Sequence, residues 1–143
     1  MCILFALLAL VPFEWNGEKV SRSEESWLEL LGSDRYAVMR ERRTERAFSG
    51  KYRPLEGVIY SCAACGLALF DSKDQYNAGN GYPSFKRAIV KKNIYFAEDR
   101  SLSFKRYEVL CRCCDSHLGH VFKDGPPPKG LRFSINSITL NIR

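Results

Sequence analysis

The sequence predicts a mainly β domain with short N-terminal helices and one metal-stapled corner. Three observations carry that prediction. After Gly57 the chain changes to short runs rich in Val, Ile, Tyr and Phe, punctuated by Gly, Pro and Asn. Helix-like patterning is confined to the stretch from Ser21 to Gly50. Two Cys-x-x-Cys pairs, Cys62/Cys65 and Cys111/Cys114, sit on the β-rich part. A chain of 143 residues, 45% hydrophobic and 27% charged, is one soluble-type globular domain able to bury a core without disulfides. It contains no internal repeat and no low-complexity linker.

The elements follow in order. Cys2 to Val11 is uninterrupted apolar sequence, too short to span a membrane stably and long enough for the core of a signal peptide. No Lys or Arg precedes it and no small-x-small cleavage site follows. Residues 1–17 therefore read either as a signal remnant, which implies export, or as a segment packed on a cytoplasmic domain; residues 18–143 form the domain proper. Cys2 belongs to this segment. Ser21-x-x-Glu24 reads as a capping box ahead of Trp27, Leu28, Leu30 and Leu31. Gly32 and Ser33 stop that helix, and Asp34 opens a second with Tyr36, Val38 and Met39 as its apolar face. Gly50 and Pro54 close the helical part. The basic cluster Arg40, Arg42, Arg43 and Arg46 reads as a solvated helix face in preference to a nucleic-acid patch. Strands are expected near 57–62, 67–70, 87–90, 94–97, 102–111 and 131–141.

Cys62-Ala-Ala-Cys65-Gly66 and Cys111-Arg-Cys-Cys114 have the form of two zinc knuckles, each turn aiming two sulfurs at one point. A redox pair, two disulfides or unlinked thiols are the competing readings, and export would favour disulfides. Four thiolates around one Zn²⁺ would bring the formal net charge of +6 down to about +4. Cys113, inside the second knuckle, is a bystander thiol or a substitute ligand.

His117-Leu-Gly-His120, followed by Asp124, offers an acid/base pair oriented by a carboxylate. Metal ligation or a structural role are the alternatives. The next strand places Leu131, Phe133 and Ile135 on one face and Arg132, Ser134 and Asn136 on the other. Past Ser137 the apolar phase slips to Ile138, Leu140 and Ile142, which predicts a bulge. The polar row lies beside the turn from Gly125 to Gly130; a solvated strand face is the plain alternative.

The run from Cys111 through Asp-Ser-His-Leu-Gly-His-Val-Phe-Lys-Asp-Gly, then Gly130-Leu-Arg-Phe-Ser-Ile-Asn-Ser137, resembles the B-type methionine sulfoxide reductases. So do Thr44-Glu-Arg-Ala-Phe-Ser-Gly-Lys-Tyr52, Tyr60-Ser-Cys-x-x-Cys-Gly66 and Gly81-Tyr-Pro-Ser-Phe85. The likeness covers about residues 22 to 142. It implies a β-tent of two antiparallel sheets, a structural Zn²⁺ on Cys62, Cys65, Cys111 and Cys114, and reduction of methionine-R-sulfoxide in proteins or peptides. It implies recycling by thioredoxin or another thiol. A monomer without nucleic-acid partners is expected.

Residue by residue, the family's nucleophilic cysteine or selenocysteine corresponds to Ser134, flanked by Arg132 and Asn136. His117 and His120 match the pair that protonates the departing oxygen, and Asp124 matches the acid of that network. Tyr82 stands where the family has a tryptophan against the substrate methyl, and Phe133 completes the expected substrate contact. Asn80 occupies the place of a resolving cysteine, so that disulfide route is closed. Serine is hardly ionised at neutral pH and cannot pass through a sulfenic acid, so turnover is expected to be very low or absent. Two other readings compete: a non-catalytic β-tent module that binds methionine sulfoxide or another small ligand, and a zinc-stapled scaffold whose basic helix binds a partner.

Overall fold

The computed structural model describes residues 13–50 and 55–143. The apolar run 2–11, with Cys2, and the positions of Tyr52 and Pro54 lie outside the described residues.

The N-terminal helical part is one kinked element, α1 (Glu24–Met39). Its N-cap is Ser23, two residues beyond the expected Ser21, because the Ser23 Oγ accepts the free N–H of Ser26 at 3.1 Å. Glu24 and Glu25 in the first turn complement the helix dipole. Gly32, at φ 77° and ψ 166°, breaks the helical path at the position where the sequence predicts the two helices to divide. Trp27 and Leu31, one turn apart, are buried, whereas Leu28 and Leu30 are exposed.

The helix ends at Met39, short of the expected boundary near Gly50. The arginines beyond it are not a solvated helix face. Arg40 lies 4.6 Å above the Trp27 ring and donates to the Cys114 carbonyl at 2.6 Å. Arg42 pairs with buried Glu108. Two of the four cations thus tie the N-terminal part to the β domain.

Two antiparallel sheets follow, as expected. The smaller has the order β2 (Ala68–Asp71), β1 (Ile59–Cys62), β9 (Leu140–Ile142). The larger runs β3 (Gln75–Tyr76), β4 (Ser84–Phe85), β8 (Arg132–Ile135), β7 (His117–Phe122), β6 (Arg106–Cys111), β5 (Ile94–Asp99). Aromatic side chains from both sheets meet in the core: Phe70 and Phe85 stack at 4.4 Å, and Tyr60 meets Phe85 edge-on at 5.5 Å.

The short strands β3 and β4 are not among the expected ones, and β6 begins at Arg106 rather than near 102; three further differences have physical causes. Residues 87–90 make no strand; Ile89 N–H reaches Leu69 O, and the chain turns at once into a 3₁₀ turn, Lys91–Asn93. β7 was not anticipated, since His-Leu-Gly-His shows no apolar alternation. The expected single strand 131–141 is two strands, β8 and β9, in different sheets. A 3₁₀ turn, Ser137–Thr139, makes the crossing and accounts for the phase slip, with no bulge needed. Among the described residues, no helix is long and apolar enough to cross a membrane.

Candidate active site and cysteine cluster

Strand register assembles the polar row. On β8, Ser134 lies opposite His120 of β7 and opposite Ser84 of β4. Arg132 pairs with Phe122 in the same ladder. A cavity of about 180 Å³ opens beside this row, lined by Ser134, Arg132, Asn136, His120, Tyr82 and Arg106 among others. Five of the expected site residues therefore share one pocket.

Phe133 does not join them. Alternation turns it to the opposite face of β8, where it is 4% exposed and packs against Phe70 at 5.9 Å and Phe96 at 6.1 Å. It belongs to the core, not to the wall of the pocket.

The two histidines need a bulge to act together. Residues three apart on a regular strand face opposite ways. Here the β6–β7 register shifts between Val109 and Leu110, and both rings reach one side, 5.3 Å apart and edge-on. Each ring meets its own carboxylate. His120 Nε2 is 2.7 Å from Asp99 Oδ2, and Asp99 also receives Arg106 at 3.1 Å. His117 Nδ1 is 2.7 Å from Glu108 Oε2, while the Arg42 guanidinium holds the same carboxylate from the other side. His117 Nε2 is buried without a partner among the described residues.

Burial lowers the proton affinity of both imidazoles, against the opposing pull of Glu108 on His117 and of Asp99 on His120. Asp99 itself is held well below the carboxylate range by Ser101 first, through side chain and N–H, and then by His120. Near neutral pH each imidazole is a neutral ring oriented by a carboxylate, able to take up a proton on demand.

Asp124 stands apart from this network. It forms a two-pronged ion pair with Arg132, at 2.8 and 3.1 Å, and touches neither histidine. The pair, together with the Phe122 ring 4.3 Å from the guanidinium, fixes Arg132 over the pocket mouth. Asp99 and Glu108 hold the histidines instead. Sequence reading missed both, because only the strand register brings them beside rings 21 and 9 residues away.

Glu45 was also missed. Its N–H donates to Asn136 Oδ1 at 3.0 Å, and its carbonyl accepts from the Tyr82 hydroxyl at 3.0 Å. Its carboxylate accepts from Ser137 N at 2.6 Å and Ile138 N at 3.2 Å, pinning the turn after β8. Asn136 completes the anchorage by donating to Leu118 O at 3.0 Å. Asn80 lines the pocket and accepts the Tyr82 N–H at 3.2 Å.

The cysteines converge at another corner. The sulfurs of Cys62, Cys65, Cys111 and Cys114 all lie within 4.8 Å of one another. The knuckles share one turn: Gly66 N–H bonds Cys62 O, and Asp115 N–H bonds Cys111 O, with φ of 83° and 61° at the two donors. Across the knuckles, Cys62 and Cys114 are 3.7 Å apart and Cys65 and Cys111 3.5 Å. Those spacings exceed a disulfide bond of about 2.05 Å. They match the S–S edge of about 3.8 Å that a tetrahedron with metal–sulfur bonds of about 2.3 Å requires. The cluster can hold one metal ion.

Cys113 is not part of it and not part of the pocket. Its thiol donates to Glu18 O at 3.6 Å, under the N-terminal segment, and burial pushes it up to about 11. A thiol so placed is not a nucleophile near neutral pH.

The SelR domain profile matches residues 31–143. The chain is 48% identical over 123 residues to the peptide methionine sulfoxide reductase MsrB of Methanosarcina mazei, covering 85% of this chain and 88% of that protein. This chain belongs to the B-type methionine sulfoxide reductase family. The MsrB of Pseudomonas putida is 45% identical over 127 residues, covering 88% of this chain and 97% of its own length. The MsrB of Azotobacter vinelandii is 46% identical over 128 residues, covering 88% and 96%. For a B-type reductase the match spans both the helical approach and the two sheets, so the whole β domain is common to the family and this chain.

Proposed function

We propose that the pocket along β8 is the methionine-R-sulfoxide site of a peptide methionine sulfoxide reductase in which a hydroxyl, Ser134, stands at the nucleophile position. The observation that carries this reading is the placement of Ser134 opposite His120 in the ladder, inside a cavity walled by Tyr82. Tyr82 supplies an apolar face for the S-methyl group. Asn136 and Arg132 frame the nucleophile, and His120 with His117 supplies the proton to the departing oxygen.

The reaction of a sulfur nucleophile at this position balances simply. A thiolate attacks the sulfoxide sulfur, the oxygen takes a proton from an imidazolium, and transfer of oxygen leaves methionine and a cysteine sulfenic acid. Two thiols from a reductant then release water and restore the cysteine, ending as a disulfide. A serine in the same role would have to end as a hydroperoxide, and exchanging the strong S–O bond of the sulfoxide for a weak O–O bond is steeply uphill, from a hydroxyl that is hardly ionised to begin with. The Ser134 chain therefore binds the sulfoxide and turns it over very slowly. With Asn80 in the resolving place, thioredoxin or a small thiol would have to attack the sulfenic acid directly once sulfur is restored.

The cysteine cluster is read as a structural Zn²⁺ site, because a four-thiolate donor set with tetrahedral spacing suits that ion. Bound there, zinc would cross-link the β1–β2 turn to the β6–β7 turn and take no part in the reaction.

The test compares this chain with Ser134→Cys on a peptide carrying methionine-R-sulfoxide, with dithiothreitol as reductant. The expected result is a gain on the order of 10³-fold or more in the cysteine variant. Equal activity in both proteins would move the chemistry to another residue. Activity in neither would leave a sulfoxide-binding module without turnover, the second reading.

A further inference from the structure

A larger cavity, of about 640 Å³, opens on the other face of β8. Its floor is apolar, with Phe96 and Leu131 open to it above the buried Ile94 and Phe133. Phe96 is 49% exposed there. Every charged residue that lines this groove is a cation: Lys86, Arg87, Lys91, Lys92, Arg112 and Lys129. They come from four separate stretches: the loop after β4, the 3₁₀ turn at Lys91–Asn93, the turn between β6 and β7, and the β7–β8 loop.

Two of the six are neutralised, Lys92 by Glu14 at 2.7 Å and Arg87 by Asp74 at 3.1 Å. Lys86, Lys91, Arg112 and Lys129 have no ion pair among the described residues. Arg112 stacks 5.2 Å from the Tyr95 centroid, and its Nε is buried without an acceptor. An open apolar floor and a ring of like charges each cost free energy in the unliganded protein. One kind of occupant relieves both.

We propose that this groove docks an acidic peptide segment of a partner protein, with a large apolar side chain over Phe96 and Leu131 and carboxylates on Lys86, Lys91 and Lys129. The distribution of charge selects against other anions. A single-headed lipid would neutralise one side of the ring and leave the rest, whereas a peptide places several carboxylates around one apolar anchor. A nucleic acid needs free aromatic faces for stacking. Here Phe96 alone offers an open face: the Tyr95 ring is already approached by Arg112 at 5.2 Å and Lys19 at 5.3 Å, and Phe133 is buried, so consecutive bases have no stacking platform. Phe133 and Ser134 point to opposite faces of β8, so a docked partner leaves the Ser134 pocket open. Binding here asks nothing of Ser134, so it is read separately from reductase activity in the same protein.

The experiment is a fluorescence-anisotropy titration of the full chain with a dye-labelled short peptide of alternating Glu and Leu with a central Phe. Its Lys-for-Glu counterpart, an oligothymidylate and phosphatidylglycerol vesicles are the comparison ligands. The acidic peptide is expected to saturate, to weaken as salt rises to about 0.5 M, and to outbind all three. Lys91→Glu with Lys129→Glu, both at exposed side chains, should weaken it about tenfold or more. Phe96→Ser should weaken it about fivefold, with circular dichroism unchanged in each variant. Absence of saturation, or undiminished binding by a correctly folded charge-swapped protein, would overturn the proposal. So would tighter binding of the oligothymidylate or the vesicles, in favour of a nucleic acid or a membrane surface.

Discussion

At position 134 the difference between oxygen and sulfur governs the chemistry, while the side chains around it govern where a proton can be found. Burial lowers both imidazoles below the ordinary value of about 6.5, and Asp99 opposes that shift at His120. Removing the carboxylate removes the support for the charged ring. Asp99→Asn should therefore move the His120 titration to lower pH, followed in the Ser134 chain by proton NMR of its only two histidines. An unchanged or raised midpoint would detach Asp99 from the histidine. The same shifts set a pH dependence of folding. Unfolded imidazoles bind protons that the folded rings refuse, so their contribution weakens as pH falls below about 6.5 and levels off beneath the folded values. In Ser134→Cys, loss of activity with rising pH should accordingly begin below about pH 6.5 and not above it.

At the scale of elements, β7 and β8 lie so close that the residue between the histidines has no room for a side chain. A Cβ on Gly119 would meet the Ser134 carbonyl oxygen at 2.1 Å and Ile135 Cα at 2.9 Å, both backbone atoms that move only with the ladder. Gly119→Ala should cost about 3 kcal/mol by urea denaturation and should disturb the pocket as well; a loss under about 0.5 kcal/mol would mean the ladder yields easily. The helix is held more locally. Ser23→Ala removes one cap bond and should cost about 1 kcal/mol, with no effect on sulfoxide binding. Element type was only partly legible in sequence. β8, with its alternating apolar residues, is readable from its period, and β1 from its run of Val, Ile and Tyr after Gly57. β7 carries two histidines and a glycine inside and gives no such signal, so the strand that presents the proton donors went unseen.

For the molecule as a whole, the cysteine corner ties the β1–β2 turn to the β6–β7 turn, and Arg40 and Lys19 fasten the N-terminal part beside it. A structural zinc, the ion proposed for this corner, would contribute roughly 10–16 kcal/mol of binding free energy. A domain of this size is stable by only about 5–15 kcal/mol. Verified removal of the metal by a chelator should thus unfold the chain, with collapse of the near-ultraviolet circular dichroism and recovery on adding Zn²⁺. An unchanged spectrum after metal removal would leave the four thiols as ordinary core residues.

The sequence by itself determined the fold class, the paired knuckles, and the row Arg132, Ser134, Asn136, because each depends on spacing within a few residues. It also placed the helix break at Gly32, where a left-handed backbone is needed. The tertiary structure alone decided which acids serve which histidines. Asp99 and Glu108 reach His120 and His117 across strand ladders, and Asp124, nearer in sequence, goes to Arg132. It likewise sent Phe133 into the core, joined Arg42 to Glu108, and gathered six cations around an apolar groove. Those pairings depend on register between strands far apart in the chain, and register is settled by how the whole core packs rather than by any local pattern.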